Sequence, residues 1–212
     1  MFSLEMSYMI LANNSLEKAI LRDEYFQSFL TMGRSRNEHP EGLLGIHVQH
    51  VLEAIDELPD QRRRAMLRLG ALLHDVGKLA GFESKQDYRP DGAGEEQIAR
   101  LVQASRSFRQ EFPYHATDDY VPEHALYSVE FARRFVSDTE LLDLIKYHDT
   151  GLKIYDHAID NQDALLLHYF GEKDAGLFVL FSYVDAADRE KTKALWMQSR
   201  FRKLGLLSND VI

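Results

Sequence analysis

Leu72-Leu73-His74-Asp75-Val76-Gly77-Lys78 is the stretch on which the reading of this chain turns. It begins as the end of an apolar helix, on which Ala65, Leu69, Leu72 and Leu73 are expected to face inward. The next two residues are an imidazole and a carboxylate. Burying both at a helix end is unfavourable unless something occupies the gap between them, and a divalent cation is the commonest occupant. Further candidate ligands stand at helix-compatible places: His47 upstream, then His124, His148 and Asp185 downstream.

The surrounding pattern is helical almost throughout, with little strand-like alternation and no internal repeat. Ser15–Leu30 reads as one helix. Leu43–Leu58 is a second, ended by Pro59, with His47, Val51, Ala54, Ile55 and Leu58 on one face. Asp60 can cap the helix that delivers His74-Asp75. Glu123–Val136 carries His124 in its first turn. Ser137-Asp138-Thr139-Glu140 matches a capping box opening the helix that ends near His148, and Asp149-Thr150-Gly151 is expected to terminate it. Asn161–Phe170, Asp174–Lys191 (with Asp185) and Trp196–Leu207 complete the helices. Arg34–Gly42, Phe82–Gly94 and Arg109–Pro122 read as loops, with Glu95–Phe108 helical between the last two. The expectation is an all-α helical bundle, a single domain over 1–212, with 81–122 as an inserted helix and loop segment covering the site.

Bulk composition narrows the function. A chain of 212 residues suits one domain and buries enough surface to need no staple. The absence of cysteine excludes disulfides, zinc ribbons and thiolate catalysis. A net charge of −9 argues against nonspecific nucleic-acid binding, although a bound metal and local cations can still offset a nucleotide's phosphate. The longest apolar run, around Leu177–Phe181, is far short of a membrane span. Met1-Phe2-Ser3-Leu4-Glu5 has an early acid and no basic region, so it does not read as a signal peptide. The expected location is the cytoplasm.

The candidate ligands are too far apart in sequence for a zinc finger, and periodicity alone does not bring them together. A lone buried histidine is more often a hydrogen-bonded core residue than a ligand. What distinguishes this set is that each member lies on or near the inward side of an apolar helix. Imidazole and carboxylate without thiolate suit manganese, iron, zinc, cobalt, nickel or magnesium. Asp75, beside His74, is the best candidate to bridge two cations, and two-metal sites suit in-line displacement at phosphorus.

Ile46-His47, Leu72-Leu73-His74-Asp75-Val76-Gly77-Lys78, Pro122-Glu123-His124, Lys146-Tyr147-His148 and Val184-Asp185, in that order, resemble the HD-domain superfamily of metal-dependent phosphohydrolases and its two-metal subset. The resemblance runs from about Leu43 to Arg189. It implies the HD-domain helical bundle, with His47, His74, Asp75 and Asp185 holding one cation and His124, His148 and a bridging Asp75 holding the other. His50, one turn after His47, rivals it for the first position, and Asp188 rivals Asp185. Some relatives have two adjacent histidines where this chain has His148-Asp149, so the resemblance implies that Asp149 accepts a hydrogen bond from a ligand or accepts a proton.

Lys78 could reach a phosphate oxygen from the mouth of the site. Lys85, Arg89, Arg106 and Arg109 lie in the inserted segment, where a substrate's charge could be neutralised, but most such loop cations are merely exposed. Arg62-Arg63-Arg64 with Arg68 reads as the wet face of a helix, balanced by Asp56, Glu57 and Asp60. His115, His157 and His168 read as structural. Gly92-Ala93-Gly94 is no P-loop, and neither Ser128 nor Ser182 has a nucleophile elbow.

The leading expectation is therefore hydrolysis of a phosphate ester on a nucleotide or other small phosphorylated molecule, with Asp75, Lys78 and Asp149 as catalytic residues and one or two divalent ions as cofactor. Two alternatives stand beside it: a di-iron oxygenase of the inositol-oxygenase type on the same scaffold, and a non-catalytic nucleotide sensor. Selectivity is expected to reside in Gly81–Pro122.

Overall fold

Short polar side chains at helix starts decide where this chain changes direction. Asp23 closes one helix and opens the next, accepting hydrogen bonds from the Tyr25 and Phe26 amides. Ser15–Leu30 is consequently two helices, α1 (Ser15–Arg22) and α2 (Glu24–Leu30), rather than the single one expected. The computed structural model describes residues 9–36, 40–114, 118–157, 160–186 and 191–212. These residues are all-α. They form α3 (Leu44–Asp56), α4 (Gln61–Leu73), α5 (Glu95–Glu111), α6 (Glu123–Ala132), α7 (Thr139–Tyr147), α8 (Thr150–His157), α9 (Gln162–Phe170), α10 (Ala175–Asp185) and α11 (Thr192–Lys203). Two 3₁₀ turns, Val76–Gly81 and Gln86–Tyr88, follow α4.

Capping explains several boundaries. Asp60 caps α4 as expected, accepting from the Arg62 and Arg63 amides. At α7 the cap is Asp138, not Ser137, so the capping-box reading was one residue early. α7 ends at Tyr147, beside Asp149-Thr150-Gly151 as expected, but a further helix follows at once. Thr150 begins α8 directly, leaving Asp149 at the elbow between two helices. The C-terminal helix also starts and stops earlier than Trp196–Leu207.

One continuous apolar cluster runs through the molecule, from Ile20 on α1 to Phe201 on α11. Almost all of α10 is buried, including Leu177, Leu180, Phe181 and Val184. Gly70 on α4 lets Leu144 of α7 and Phe181 of α10 come close. A Cβ there would lie 3.0 and 3.2 Å from them. The inward face of α4 is carried by Leu67, Ala71, Leu72 and Leu73, whereas Ala65 is exposed. Within the segment between Gly81 and Pro122, Leu101 and Phe108 of α5 belong to the same core. Among the described residues, no helix is long and apolar enough to cross a membrane.

Candidate metal centre

Seven side chains from five places in the chain converge where these helices meet. His47 comes from α3. His74 closes α4, and Asp75 lies between it and the first 3₁₀ turn. His124 is in the first turn of α6, His148 closes α7, Asp149 follows it, and Asp185 is the last residue of α10. His47, His74, Asp75, His148 and Asp185 are buried.

The geometry falls into two halves. In the deeper half, Oδ1 of Asp185 lies 3.1 Å from His47 Nε2 and 3.2 Å from His74 Nε2. In the outer half, His124 Nε2 and His148 Nε2 are 3.3 Å apart, and Asp149 Oδ2 lies 3.5 and 3.4 Å from them. Asp75 joins the halves. Its Oδ2 faces His74 Nε2 at 3.3 Å, and its Oδ1 faces His124 Nε2 at 3.3 Å and His148 Nε2 at 3.8 Å.

Two of the imidazoles are held in the same way. His74 Nδ1 lies 3.0 Å from the Ala71 carbonyl, and His148 Nδ1 lies 2.8 Å from the Ile145 carbonyl. A carbonyl can only accept, so each Nδ1 carries the proton and each Nε2 is turned towards the carboxylates. Phe181 packs edge-on against both rings, giving the site an apolar floor. Glu41, in the loop before α3, lies 3.3 Å from His47 Nδ1 and orients that ring. The sequence offered no signal for Glu41, which belongs to a polar loop without periodicity.

The side chains share protons among themselves. Burial opposes charge on His74, but the carboxylates of Asp75 and Asp185 outweigh it and raise its pKa to about 10. Burial likewise opposes ionisation of Asp75 and Asp185, yet His74 holds both well below the usual carboxylate range. His47 is raised against burial by Asp185 and Glu41, and His148 by Asp149. At His124 burial prevails and the pKa falls. Lys78 folds back to donate to Asp75, its side chain only 14% exposed, and this partner raises its pKa despite burial.

Such a donor set fits a divalent cation. Nε2 of His74 and Oδ1 of Asp75 are buried without a well-formed hydrogen bond, an arrangement that polar groups avoid unless an ion or water completes it. Among the described residues, three overlapping groups have ligand atoms within 4.8 Å of one another: His47, His74 and Asp185; His74, Asp75 and His148; His124, His148 and Asp149.

All six expected metal ligands therefore come together, and Asp149 with them. His47, not His50, is the member of its helix in the cluster. Asp188 and His115 lie outside the described residues. Arg106 and Arg109 are held by Glu83, and Lys85 lies against the Tyr88 ring. His157 and His168 are exposed and outside the cluster. Arg68 is not on a wet face: it is buried, paired with Glu17 and Asp56. Ser128 accepts the Gly77 amide hydrogen, which ties α6 to the turn after Asp75. A groove of about 590 Å³ between α2 and α5, lined by Glu24, Tyr25, Arg100 and Gln103 among others, contains none of the cluster residues.

Compared with models of known protein families, with curated proteins and with solved structures, the chain finds no match in any of the three.

Proposed function

We propose that this chain is an HD-type, metal-dependent phosphohydrolase, acting on a phosphate ester of a nucleotide or another small molecule. The observation that carries the reading is the split of Asp75, whose Oδ2 faces His74 and whose Oδ1 faces His124 and His148. His47, His74, Asp185 and Asp75 Oδ2 would hold one cation, and His124, His148 and Asp75 Oδ1 a second. Bound there, divalent cations would supply Lewis acidity towards a phosphoryl oxygen and lower the pKa of a water.

The protein's own groups supply the rest. Two divalent cations and the Lys78 ammonium outweigh the carboxylates of Glu41, Asp75, Asp149 and Asp185, so the loaded site suits an anion. Lys78 would bind a non-bridging phosphate oxygen and stabilise charge spread over the phosphoryl group. Asp149, with its side chain 30% exposed, stands at the open edge and would accept the proton of the attacking water. The apolar floor at Phe181 strengthens these electrostatic contacts by excluding water from beneath them. The chain's cysteine-free composition suits the cytoplasm, which we propose as its location.

Asp75→Ala assayed on a panel of phosphate monoesters and diesters with added manganese tests the reading. Turnover by the wild type that works under nitrogen and falls at least a hundredfold in the variant is expected. Undiminished turnover by the metal-saturated variant ends the proposal, and oxygen consumption by an iron-loaded enzyme replaces hydrolysis with oxygenation.

A further inference from the structure

The sequence offers Asp149 as a proton acceptor beside the site, but its position suggests more. His148-Asp149 repeats the arrangement of His74-Asp75. In each pair the histidine closes a helix, its Nδ1 meets the carbonyl three residues earlier, and the aspartate occupies the elbow before the next helical segment. In each pair the aspartate's Oδ2 also returns to its own histidine's Nε2, at 3.3 Å for Asp75 and 3.4 Å for Asp149. An element used once to present a His-Asp pair is thus used twice in one cluster.

Four donor atoms surround the outer space: Nε2 of His124, Nε2 of His148, Oδ1 of Asp75 and Oδ2 of Asp149. Their separations run from 3.3 to 3.8 Å for the pairs in contact. Such distances are close to those between ligands around a cation with bonds of about 2.0–2.2 Å. The Nδ1 contact of His148 leaves its Nε2 with a lone pair directed at the two carboxylates. Carboxylate oxygens and imidazole nitrogens turned on one another need a positive charge among them, a proton or a cation.

We propose that Asp149 is a direct ligand of the outer cation, making a four-donor site of two imidazoles and two carboxylates that is distinct from the inner one. The Oδ2 atom ligates, which leaves the second oxygen for the proton-accepting role. Side-chain exposure reaches 30% at Asp149, against 1–12% at the inner residues His74, His47 and Asp185. The outer cation is therefore the exchangeable one and the inner cation the retained one. The donor set favours manganese, iron, cobalt or zinc over magnesium.

The inference rests on the cation reading of the cluster but not on the reaction. The test is a titration of EDTA-treated, full-length protein with manganese chloride, followed by isothermal calorimetry and by elemental analysis after gel filtration. Two equivalents are expected in calorimetry, with the tighter one surviving filtration. Asp149→Asn, which keeps the shape of the side chain, is expected to weaken the second equivalent at least about tenfold and to leave the first within about twofold. A wild type that binds a single equivalent, or a variant that keeps both affinities, overturns the proposal. A measurement that needs no variant is a zinc titration followed by histidine side-chain ¹⁵N spectra. Nε2 of His47 and His74 should respond first, then those of His124 and His148; simultaneous response of all four also overturns it. Two bound cations without turnover of any phosphate ester defeat the proposed reaction alone. Turnover with one cation, and an unchanged stoichiometry in Asp149→Asn, defeats this inference alone.

Discussion

The imidazoles of His74 and His148 stand edge to face, ring centroids 4.9 Å apart, although they close different helices. Each is fixed at Nδ1 by the carbonyl three residues before it, and Phe181 lies against both. Their orientation is thus set by backbone and core packing before any ligand binds. A site built in this way loses little freedom when a cation enters, which favours affinity.

Cation binding should therefore appear as thermal stabilisation. A ligand at a hundred times its Kd stabilises the folded state by about 2.7 kcal/mol per site. For a chain of this size that corresponds to a rise of roughly 5–10 °C in Tm. Scanning fluorimetry of EDTA-treated protein with and without manganese measures it. An unchanged Tm at millimolar manganese would mean that the cluster is an ordinary polar core.

Binding should also release protons. The His74 pKa is raised to about 10, so at neutral pH the protein without a cation holds a proton there that a ligating imidazole must lose. Affinity for manganese should accordingly rise with pH between 6 and 8, and calorimetric heats should vary with the ionisation enthalpy of the buffer. Heats that do not depend on the buffer would refute this. The sign for stability in EDTA follows from the same groups. The raised His74 contributes fully below its unfolded pKa of about 6.5, and that contribution is lost as pH rises through about 10. Asp75 and Asp185 are lowered, so theirs is present above about pH 4 and lost as pH falls towards their folded values. These groups together place the stability plateau of EDTA-treated protein between roughly pH 4 and 6.5.

Gly77 is where α6 meets the turn that carries Asp75. A Cβ there would lie 1.9 Å from the His124 carbonyl oxygen and 2.7 Å from the Ser128 amide nitrogen, both backbone atoms. Gly77→Ala must push α6 away, and His124 with it. We expect destabilisation of about 1–3 kcal/mol or more, measured by urea unfolding in EDTA, together with loss of the second manganese equivalent. A variant of wild-type stability would show that the turn and α6 are not in such close contact.

The candidate ligands were legible in the sequence because each lies at the end or on the inward face of a helix with an apolar side. The packing that joins them was not. Nothing in local periodicity reports that Gly70 lets α7 and α10 close over α4, or that Asp23 can serve two helices at once. Thr150-Gly151 reads as a terminator, and α7 does end beside it, but the sequence does not show that another helix follows at once. In the fold this pair starts α8, with Gly151 facing the Met197 side chain and Thr150 buried. Glu41 gave no signal, since its role depends on a loop returning to His47. Arg68 was misread because three arginines precede it on the same helix, while its partner Glu17 is far upstream.

That misreading has a measurable counterpart. Arg68 donates to Glu17 and Asp56 and to the Leu11 carbonyl, and Glu17 is itself buried. Removing one partner of a buried ion pair leaves an uncompensated charge, so Arg68→Ala should lose about 3–5 kcal/mol. Adding Glu17→Gln should restore part of it. A loss below about 1 kcal/mol in urea unfolding would restore the exposed-face reading.

Lys78 gives the sharpest separation between holding cations and using them. Its ammonium is paired with Asp75, the carboxylate both halves share. An ammonium and a divalent cation about 4 Å apart repel by roughly 8 kcal/mol at an effective dielectric of about 20, so Lys78 would oppose cations bound beside it. Its retention there needs another benefit, and contact with an anionic substrate supplies one. Lys78→Met should then tighten manganese binding at least about tenfold in calorimetry, and weaken binding of inorganic phosphate to the manganese-loaded protein. A purely structural lysine would do neither, because its loss would loosen Asp75 and lower manganese affinity. The two constants, measured on one preparation, therefore move in opposite directions only if Lys78 faces the substrate.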